Sequence, residues 1–360
     1  MAIRDRVYYK GLDGLRAIAS ISVVLGHIEL IKKENGIDNV FSQIGNLGSL
    51  GVNLFFVLSG FLITTLLLKE KQGQSKINLK NFYIRRILRI WPLYFIILLL
   101  STTIFLYAPN WLTLILCGTI FPNIAHALSI GWTYSPQIWS IGVEEQFYLF
   151  WPTILKRSQQ FILIICISFI VFYPFAPHFL QFIFNRLGAS NEALIIIEKV
   201  FGVLSFNAMA TGALFSILYF SKKQLFTKII SYSSNLNKTM VILPFLLWFS
   251  GVNFSYFQTP IYSLLFAYMM VVIVNGTFQR FFELKILKFL GKISYGIYMY
   301  HWMITLLLFE AISPLIKLNY GIGNILLYST VLILTICISF LSYQKIEKPI
   351  QKLKINYSNE

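Results

Sequence analysis

Long apolar runs alternate with short polar connections along most of the chain. Of its 360 residues, 57% are apolar and only 12% are charged, whereas about 25% of a typical soluble chain is charged. Ten of the runs are about as long as a helix that crosses a bilayer, which needs roughly 17–25 residues. The pattern predicts an all-α polytopic membrane protein, a bundle of about ten transmembrane helices. The predicted spans lie near 15–32, 47–68, 90–108, 138–155, 160–177, 200–219, 239–254, 259–277, 293–312 and 322–343.

One apolar stretch, 111–125, is too short to span and is interrupted by Pro122. A proline inside a helix removes a backbone hydrogen bond and breaks or kinks the helix. We interpret this stretch as a re-entrant or interfacial segment, with Trp111 and Trp132 as interface anchors.

The basic residues predict the orientation of the bundle. With the N-terminus in the cytoplasm, 25 of the 30 Lys and Arg residues fall on cytoplasmic segments. This bias favours cytoplasmic location of both termini, with a transmembrane domain at 1–349 and a short cytoplasmic tail at 350–360. The formal charge of +16 then reflects topology and contact with anionic membrane lipids, so nucleic acid is not an expected partner. The five remaining basic residues are Lys32, Lys33, Arg186, Lys199 and Lys317.

Several chemistries have no support in the sequence. The three cysteines lie inside apolar runs without a C-x-x-C pair, so we expect neither a disulfide nor a zinc framework. There is no Walker A loop, G-x-G-x-x-G, H-E-x-x-H or G-x-S-x-G motif. We therefore expect no metal and no permanently bound cofactor, and we expect no cleavable signal peptide before the first span.

Two ionisable residues in the first span, Arg16 and His27, lie on one helical face. They are eleven residues apart, which is three turns plus roughly 20° and a rise of about 16.5 Å. This geometry suits a long ligand with an anionic head and a reactive far end. Alternatively, Arg16 is a topogenic charge that reaches the headgroups, and His27 is a hydrogen-bonded histidine between helices.

Adjacent carboxylates in the fourth span, Glu144 and Glu145, are costly in a membrane. No charged residue lies between Arg89 and Glu144. Glu144 and His27 have similar predicted depths in the outer half of the bilayer. The sequence therefore permits a Glu–His pair in which the carboxylate orients the imidazole, although an interhelical polar clamp is the alternative.

Further polar residues mark the third and ninth spans. Arg86 and Arg89 are i,i+3 neighbours on one helical face, and guanidinium groups bind phosphates well. Lipid headgroups would satisfy them equally. His301 is predicted near mid-bilayer, either as a structural histidine or as a substrate ligand, and we assign no role to His126 or His178.

Six segments, together with the Arg16-x10-His27 spacing, resemble the membrane acyltransferase-three family in family order. The departures are Asn53 where Asp is common, Tyr300 where Trp usually precedes the histidine, and Met303 where Pro often follows it. No segment resembles the SGNH-type domain that larger relatives carry, so the resemblance is to the stand-alone form. The segments are 12–27, 51–63, 85–94, 139–148, 293–301 and 346–349.

The resemblance implies a multi-pass acyltransferase of the bacterial inner (cytoplasmic) membrane. It would move an acyl group, most often acetyl, from cytoplasmic acetyl-CoA to a hydroxyl of an extracytoplasmic sugar. The acceptor would be lipopolysaccharide O-antigen, capsule, another envelope glycan or a lipid-linked sugar. Other interpretations are a proton-coupled exporter of a glycan or small molecule, a non-catalytic membrane scaffold, and, within the enzyme class, a macrolide acyltransferase or a succinyltransferase.

The resemblance and the predicted geometry together assign roles to individual residues. His27 would be the general base, with a covalent acyl-His as a variant, and Glu144 or Glu145 would orient it. The phosphates of acyl-CoA would be bound by Arg16, Arg86 and Arg89, with Asp13 beside them. The acceptor would contact Trp139, Tyr148, His301 and Asn53.

Overall fold

A computed structural model describes residues 8–40, 46–74, 76–188, 190–221, 224, 228 and 233–353. These residues form helices joined by short connections, and none of them belongs to a β-strand. The all-α prediction is confirmed. The basic residues Arg4 and Arg6, and the end of the predicted tail at 354–360, lie outside the described residues.

We number the helices of the described residues in chain order. A 3-10 turn, Pro136–Ile138, precedes α6, and a π-helical turn, Tyr343–Glu347, joins α16 to α17. The helices are α1 (Leu12–Glu34), α2 (Leu47–Gln74), α3 (Leu79–Ile104), α4 (Trp111–Gly118), α5 (Pro122–Ala127), α6 (Trp139–Ile154), α7 (Gln159–Val171), α8 (Ala176–Arg186), α9 (Asn191–Leu204), α10 (Phe206–Ser221), α11 (Ser234–Phe249), α12 (Gln258–Val274), α13 (Gln279–Phe282), α14 (Lys285–Lys292), α15 (Ser294–Leu318), α16 (Tyr320–Ser342) and α17 (Lys348–Lys352).

Seven helical segments of the described residues are long and apolar enough to cross a membrane. An eighth span results if α7 and α8, which are bent by 42° at their junction, are counted together. Each of the ten predicted spans contains a helix. However, α6 and α11 have only 16 residues each, which is short for a complete crossing.

The 111–125 stretch forms two short helices, α4 and α5, and Pro122 begins the second. Trp111 is 71% exposed, as an interface anchor requires. The prediction for Trp132 is wrong: this side chain is only 3% exposed, and its indole N–H donates to Ser101 Oγ at 2.6 Å. The connection between α3 and α6 therefore packs into the protein.

Glycines set the register of the antiparallel helices α1 and α2. A Cβ on Gly26 would lie 2.6 Å from the backbone nitrogen of Gly48. A Cβ on Gly51 would lie 2.8 Å from the carbonyl oxygen of Ala19. Only glycine permits so close an approach of two backbones. His27 is therefore level with the beginning of α2, whereas Arg16 is level with the middle of α2.

Several helix ends meet at one end of the bundle. A Cβ on Gly291 would lie 2.0 Å from the carbonyl oxygen of Asp13, so α14 packs on the beginning of α1. The hydroxyl of Tyr295 at the beginning of α15 donates to Ile90 O at 2.7 Å. We call this the arginine end, because three arginines of α1 and α3 lie here.

Candidate active site

A cavity of about 210 Å³ begins at the arginine end and runs between α1, α2, α3, α6 and α15. On α2 its lining extends from Leu66 to Val52, which is about 21 Å at 1.5 Å per residue. We call it the arginine cavity. Its polar and aromatic lining residues are Arg16, Phe55, Phe56, Ser59, Arg86, Arg89, Ser140, Glu144, Tyr148, Ser294, Tyr295 and Tyr298.

The arginine cavity carries more positive than negative charge. Its lining contains three arginines and one acidic residue, Glu144. The Nε of Arg86 is buried and has no hydrogen-bond partner among the described residues. A buried donor without a partner is costly, so this guanidinium is well placed to bind an anion.

Acidic residues nearby determine which arginines face the cavity. Arg16 is held by Asp13, whose Oδ1 lies 3.4 Å from Nη1 of the arginine. Arg85 turns away from the cavity, and its Nη2 lies 3.0 Å from Oε2 of Glu70. The helical face predicted for Arg86 and Arg89 is therefore the face that lines the cavity, and Asp13 positions Arg16.

Glu144 belongs to the arginine cavity and not to the surroundings of His27. Its two carboxylate oxygens accept hydrogen bonds from Ser59 Oγ at 2.8 Å and from the Tyr148 hydroxyl at 2.9 Å. The guanidinium of Arg86 lies over the Tyr148 ring, 5.9 Å from its centroid. Tyr148, expected to contact the acceptor, therefore lies with the arginines.

The predicted Glu144–His27 pair does not form, because Glu144 lies farther along the bundle than its sequence position predicts. The 3-10 turn before α6 is already deep in the bundle, since Gln137 Nε2 donates to Met299 O at 2.9 Å. Glu144 lies a further seven residues, or about 10 Å, beyond Gln137. The carboxylate is thereby carried past the level of His301 towards the arginine end.

Glu145 faces a different direction from Glu144, since adjacent helical residues are about 100° apart. Its Oε2 accepts a hydrogen bond from the Trp91 indole at 2.7 Å. Its other oxygen is buried without a hydrogen-bond partner among the described residues. Glu145 lines a separate small pocket and is not brought to His27.

His27 pairs instead with His301 of α15. Its Nδ1 lies 2.7 Å from Nε2 of His301, and the two rings are nearly parallel at 8°. His301 is fully buried, and its Nδ1 lies 2.7 Å from Tyr298 O and 3.2 Å from Ile297 O. The edge of Trp302 packs against the His27 ring, with the centroids 5.0 Å apart.

These hydrogen bonds fix the tautomers of the two neutral rings. A carbonyl oxygen only accepts, so Nδ1 of His301 carries its proton and donates it to Tyr298 O. Nε2 of His301 then accepts, and His27 donates from Nδ1. As a result, Nε2 of His27 keeps a free lone pair and can act as a base.

One feature of the sequence points to this pair. His27 and His301 are the only histidines within the predicted spans, and two neutral imidazoles can satisfy each other in a membrane. Of the two interpretations of His301, a structural histidine and a substrate ligand, its contacts match the first, since it holds His27.

Among the described residues, the arginine cavity does not extend from Arg16 to His27. Neither histidine is among the residues that line the arginine cavity. On α2 the cavity ends at Val52, five residues or about 7 Å short of the level of His27. Arg16 and His27 thus have different surroundings despite sharing one helix.

A thin polar wall closes the arginine cavity on the side of the histidines. The Tyr298 hydroxyl lies 2.6 Å from Ser140 Oγ and donates to Gln137 O at 3.0 Å. The backbone oxygen of the same tyrosine accepts from His301. We call Gln137, Ser140 and Tyr298 the Tyr298 wall.

Two predicted acceptor contacts, Asn53 and Trp139, do not line the arginine cavity. Asn53 accepts from Ser263 Oγ at 2.8 Å and donates to Thr259 O at 3.3 Å, so it joins α2 to α12. Trp139 stacks on His126, with centroids 5.8 Å apart.

A second cavity of about 480 Å³ lies at the other end of α6. We call it the Lys199 cavity. The sequence does not predict this cavity, because its walls come from the end of α5, the α5–α6 connection and α9. Within the described parts of the chain, no group of three or more His, Cys, Asp or Glu residues could hold a metal ion. The lining residues are His126, Ala127, Ser129, Gly131, Trp132, Thr133, Pro136, Lys199 and Val203.

Comparisons with known proteins find O-acetyltransferases. The chain is 28% identical to the peptidoglycan O-acetyltransferase OatA of Listeria monocytogenes, over 97% of this chain and 56% of that protein. It is 28% identical to a putative O-acetyltransferase of Staphylococcus aureus, over 98% of this chain and 59% of the relative. The O-acetyltransferase OatA of Staphylococcus aureus is 26% identical, over 96% and 57%.

The chain spans a little more than half the length of these relatives. No solved structure shows significant similarity to it. The sequence profile of a family described as an acyltransferase domain matches residues 9–344, which is nearly the whole chain. The chain therefore belongs to this acyltransferase-domain family.

Proposed function

We propose that this chain transfers an acyl group, acetyl in the first instance, from cytoplasmic acyl-CoA to a hydroxyl of an envelope glycan. Membership of the acyltransferase-domain family and the names of the relatives support O-acetyl transfer. One relative is named for peptidoglycan, which makes this glycan the first acceptor to test. Lipopolysaccharide O-antigen and capsule belong to the same class of hydroxyl-rich polymers.

The observation that carries the proposal is the arginine cavity. Three guanidinium groups face one carboxylate, and one buried guanidinium nitrogen has no partner in the described chain. Arginine binds phosphate oxygens with two parallel hydrogen bonds. The cavity also continues for about 21 Å along α2, which provides room for an extended arm behind a phosphate head. A lipid headgroup alone would not need this length.

In the proposed reaction, His27 is the general base. The acceptor hydroxyl gives its proton to Nε2 of His27, and its oxygen attacks the thioester carbonyl. The carbon–sulfur bond then breaks, and the departing thiolate takes the proton back from His27. His301 is a positioning residue, because its hydrogen bond keeps the proton of His27 on Nδ1. The reaction requires the Tyr298 wall to open, since the wall separates the donor cavity from the two imidazoles.

Donor binding provides the sharpest test of this function. In the protein purified in lipid nanodiscs, Arg86→Gln and Arg89→Gln should each weaken coenzyme A binding by about 10- to 100-fold. This range corresponds to the loss of a charge-assisted hydrogen bond of about 1.5–3 kcal/mol. Calorimetric titration measures the affinity. Arg85→Gln is a matched control, because Arg85 is on the same helix but pairs with Glu70 outside the cavity. Equal affinities in all four proteins would refute the proposed donor site.

Transfer itself is tested with acetyl-CoA that carries a labelled acetyl group. Membranes that contain the protein should move the label into isolated cell-wall glycan, and membranes with His27→Ala should not. A glycan exporter would move glycan and leave the label in acetyl-CoA.

A further inference from the structure

The Lys199 cavity and the arginine cavity lie on two sides of one short segment, 136–140. Pro136 lines the Lys199 cavity, and Ser140 lines the arginine cavity. Between them, Gln137 donates to Met299 O at 2.9 Å, two residues before His301 in the sequence. The segment that separates the two cavities therefore contacts α15 close to His301.

The Lys199 cavity has the size and chemistry of a site for a small polar ligand. Its volume of about 480 Å³ falls within the range of roughly 300–1,000 Å³ that is usual for ligand sites. Ser129 and Thr133 contribute hydroxyl groups, and His126 contributes an exposed ring. That ring is supported from behind by Trp139, at an interplanar angle of 19°. A stacked aromatic surface beside hydroxyl groups suits the apolar face and the hydroxyls of a sugar ring.

Lys199 gives this cavity its charge. It is the one charged side chain among the described residues of the lining, and its Nζ donates to Ser129 Oγ at 3.3 Å. Lys199 is exposed and therefore available to a ligand. It is also one of only five basic residues predicted on the outer side of the membrane. The tendency of basic residues to lie on cytoplasmic segments therefore does not account for a lysine at this position.

We propose that the Lys199 cavity binds the acceptor, and that this acceptor is an oligosaccharide with a carboxylate that pairs with Lys199. The inference rests on the proposed function, since it names the substrate class of the same reaction. The sugar lies on the His126 ring, and the two hydroxyl side chains bind its polar edge. Donor and acceptor thus occupy different cavities, separated by the Tyr298 wall.

The test compares two acceptors that differ only in charge. The probes are a soluble tetrasaccharide of N-acetylglucosamine and N-acetylmuramic acid, and the same tetrasaccharide with its carboxylates amidated. The readout is the ratio of kcat/KM for the acid to kcat/KM for the amide, with acetyl-CoA as donor. General damage to the protein cancels in this ratio.

In the wild type the acid should be preferred, and Lys199→Glu should lower the ratio by about tenfold. This is the size expected when attraction becomes repulsion at a solvent-exposed site. Lys199→Gln should lower the ratio by about threefold, and Lys199→Arg should preserve it. Lys317→Glu, which reverses another predicted outer charge away from the cavity, is the matched control and should leave the ratio unchanged.

An unchanged ratio in Lys199→Glu would overturn the inference. An equal fall in Lys317→Glu would overturn it as well, because the effect would then come from the overall charge of the outer surface. If the wild type releases coenzyme A but acetylates neither sugar, the acceptor class is wrong while the donor site stands. If it neither binds nor consumes acetyl-CoA, the proposed function itself fails.

Discussion

Arg16 and His27 lie three turns apart on one helix, yet their surroundings are opposite in character. Arg16 shares a cavity with two further arginines and a carboxylate held by hydroxyl groups. His27 has a single imidazole partner, the fully buried His301, and an indole against its ring. The first region carries several charges, whereas the second has two imidazoles and an indole, although Arg16 and His27 are both partly exposed.

Under the proposed function, this difference would separate donor binding from the chemical step. A phosphate-bearing ligand needs positive charge and room, which the arginine cavity provides. A neutral histidine base needs a fixed tautomer. A cation beside it would bind the phosphates of the donor at the wrong place. The Tyr298 wall lies between the two regions, and in the proposed reaction it would open to let the thioester reach His27.

The largest expected effect is that of His27→Ala. General-base catalysis typically contributes about 10²–10⁴-fold to rate, so kcat for acetyl transfer should fall by this range while coenzyme A affinity stays at the wild-type value. Steady-state kinetics and calorimetric titration measure the two quantities on the same preparation. Wild-type turnover in this variant would show that His27 is not the general base. An equal loss of coenzyme A affinity would show that His27 also takes part in donor binding.

The pair of variants His301→Ala and His301→Gln tests the positioning of His27. Alanine removes the acceptor for the Nδ1 proton, so we expect a loss of about 10²-fold in kcat, no larger than that of His27→Ala. Glutamine offers a side-chain oxygen in a similar place, so kcat of His301→Gln should be about tenfold higher than kcat of His301→Ala. Equal rates in the two variants would mean that packing, not the hydrogen bond, explains the role of His301.

Tyr298→Phe removes hydrogen bonds from the Tyr298 wall but leaves no empty space in it. The ring stays, but its hydrogen bonds to Ser140 and to the backbone of Gln137 are lost. A buried hydrogen bond contributes about 1 kcal/mol, so the wall should open about fivefold more often. Hydrolysis of acetyl-CoA in the absence of acceptor should rise by the same factor. A fall in hydrolysis would show that the tyrosine hydroxyl promotes the reaction.

Glu144→Gln should have the smallest effect. The amide keeps the shape of the carboxylate. Its oxygen can still accept from one of the two hydroxyl groups, and its NH2 group can donate to the oxygen of the other, while the cavity loses its negative charge. We expect coenzyme A to bind about threefold more tightly and kcat to change by less than that factor. A 10²-fold fall in kcat at unchanged affinity would restore the predicted link between Glu144 and His27.

Local sequence patterns predicted the parts of the molecule that depend on helical periodicity. The helices and the shared face of Arg86 and Arg89 follow from spacing along a single helix. Such features can be predicted without knowing which helices are neighbours.

The remaining parts depend on how helices are placed relative to one another. The depth of Glu144 was misjudged because the connection before α6 enters the bundle, and Gln137 is anchored on Met299. Asn53 was assigned to the acceptor, although it joins α2 to α12 through Ser263 and Thr259. The Lys199 cavity combines two segments about 60 residues apart. Helical periodicity along the sequence cannot show that such distant segments meet.

The most direct test of the separation between binding and chemistry is a cryo-electron microscopy structure with a non-hydrolysable acyl-CoA analogue. The account predicts phosphate density among Arg16, Arg86 and Arg89, an arm along α2 past Ser59, and the acyl end at Tyr298. Phosphate density at any other place, or an arm that does not enter the arginine cavity, would contradict it.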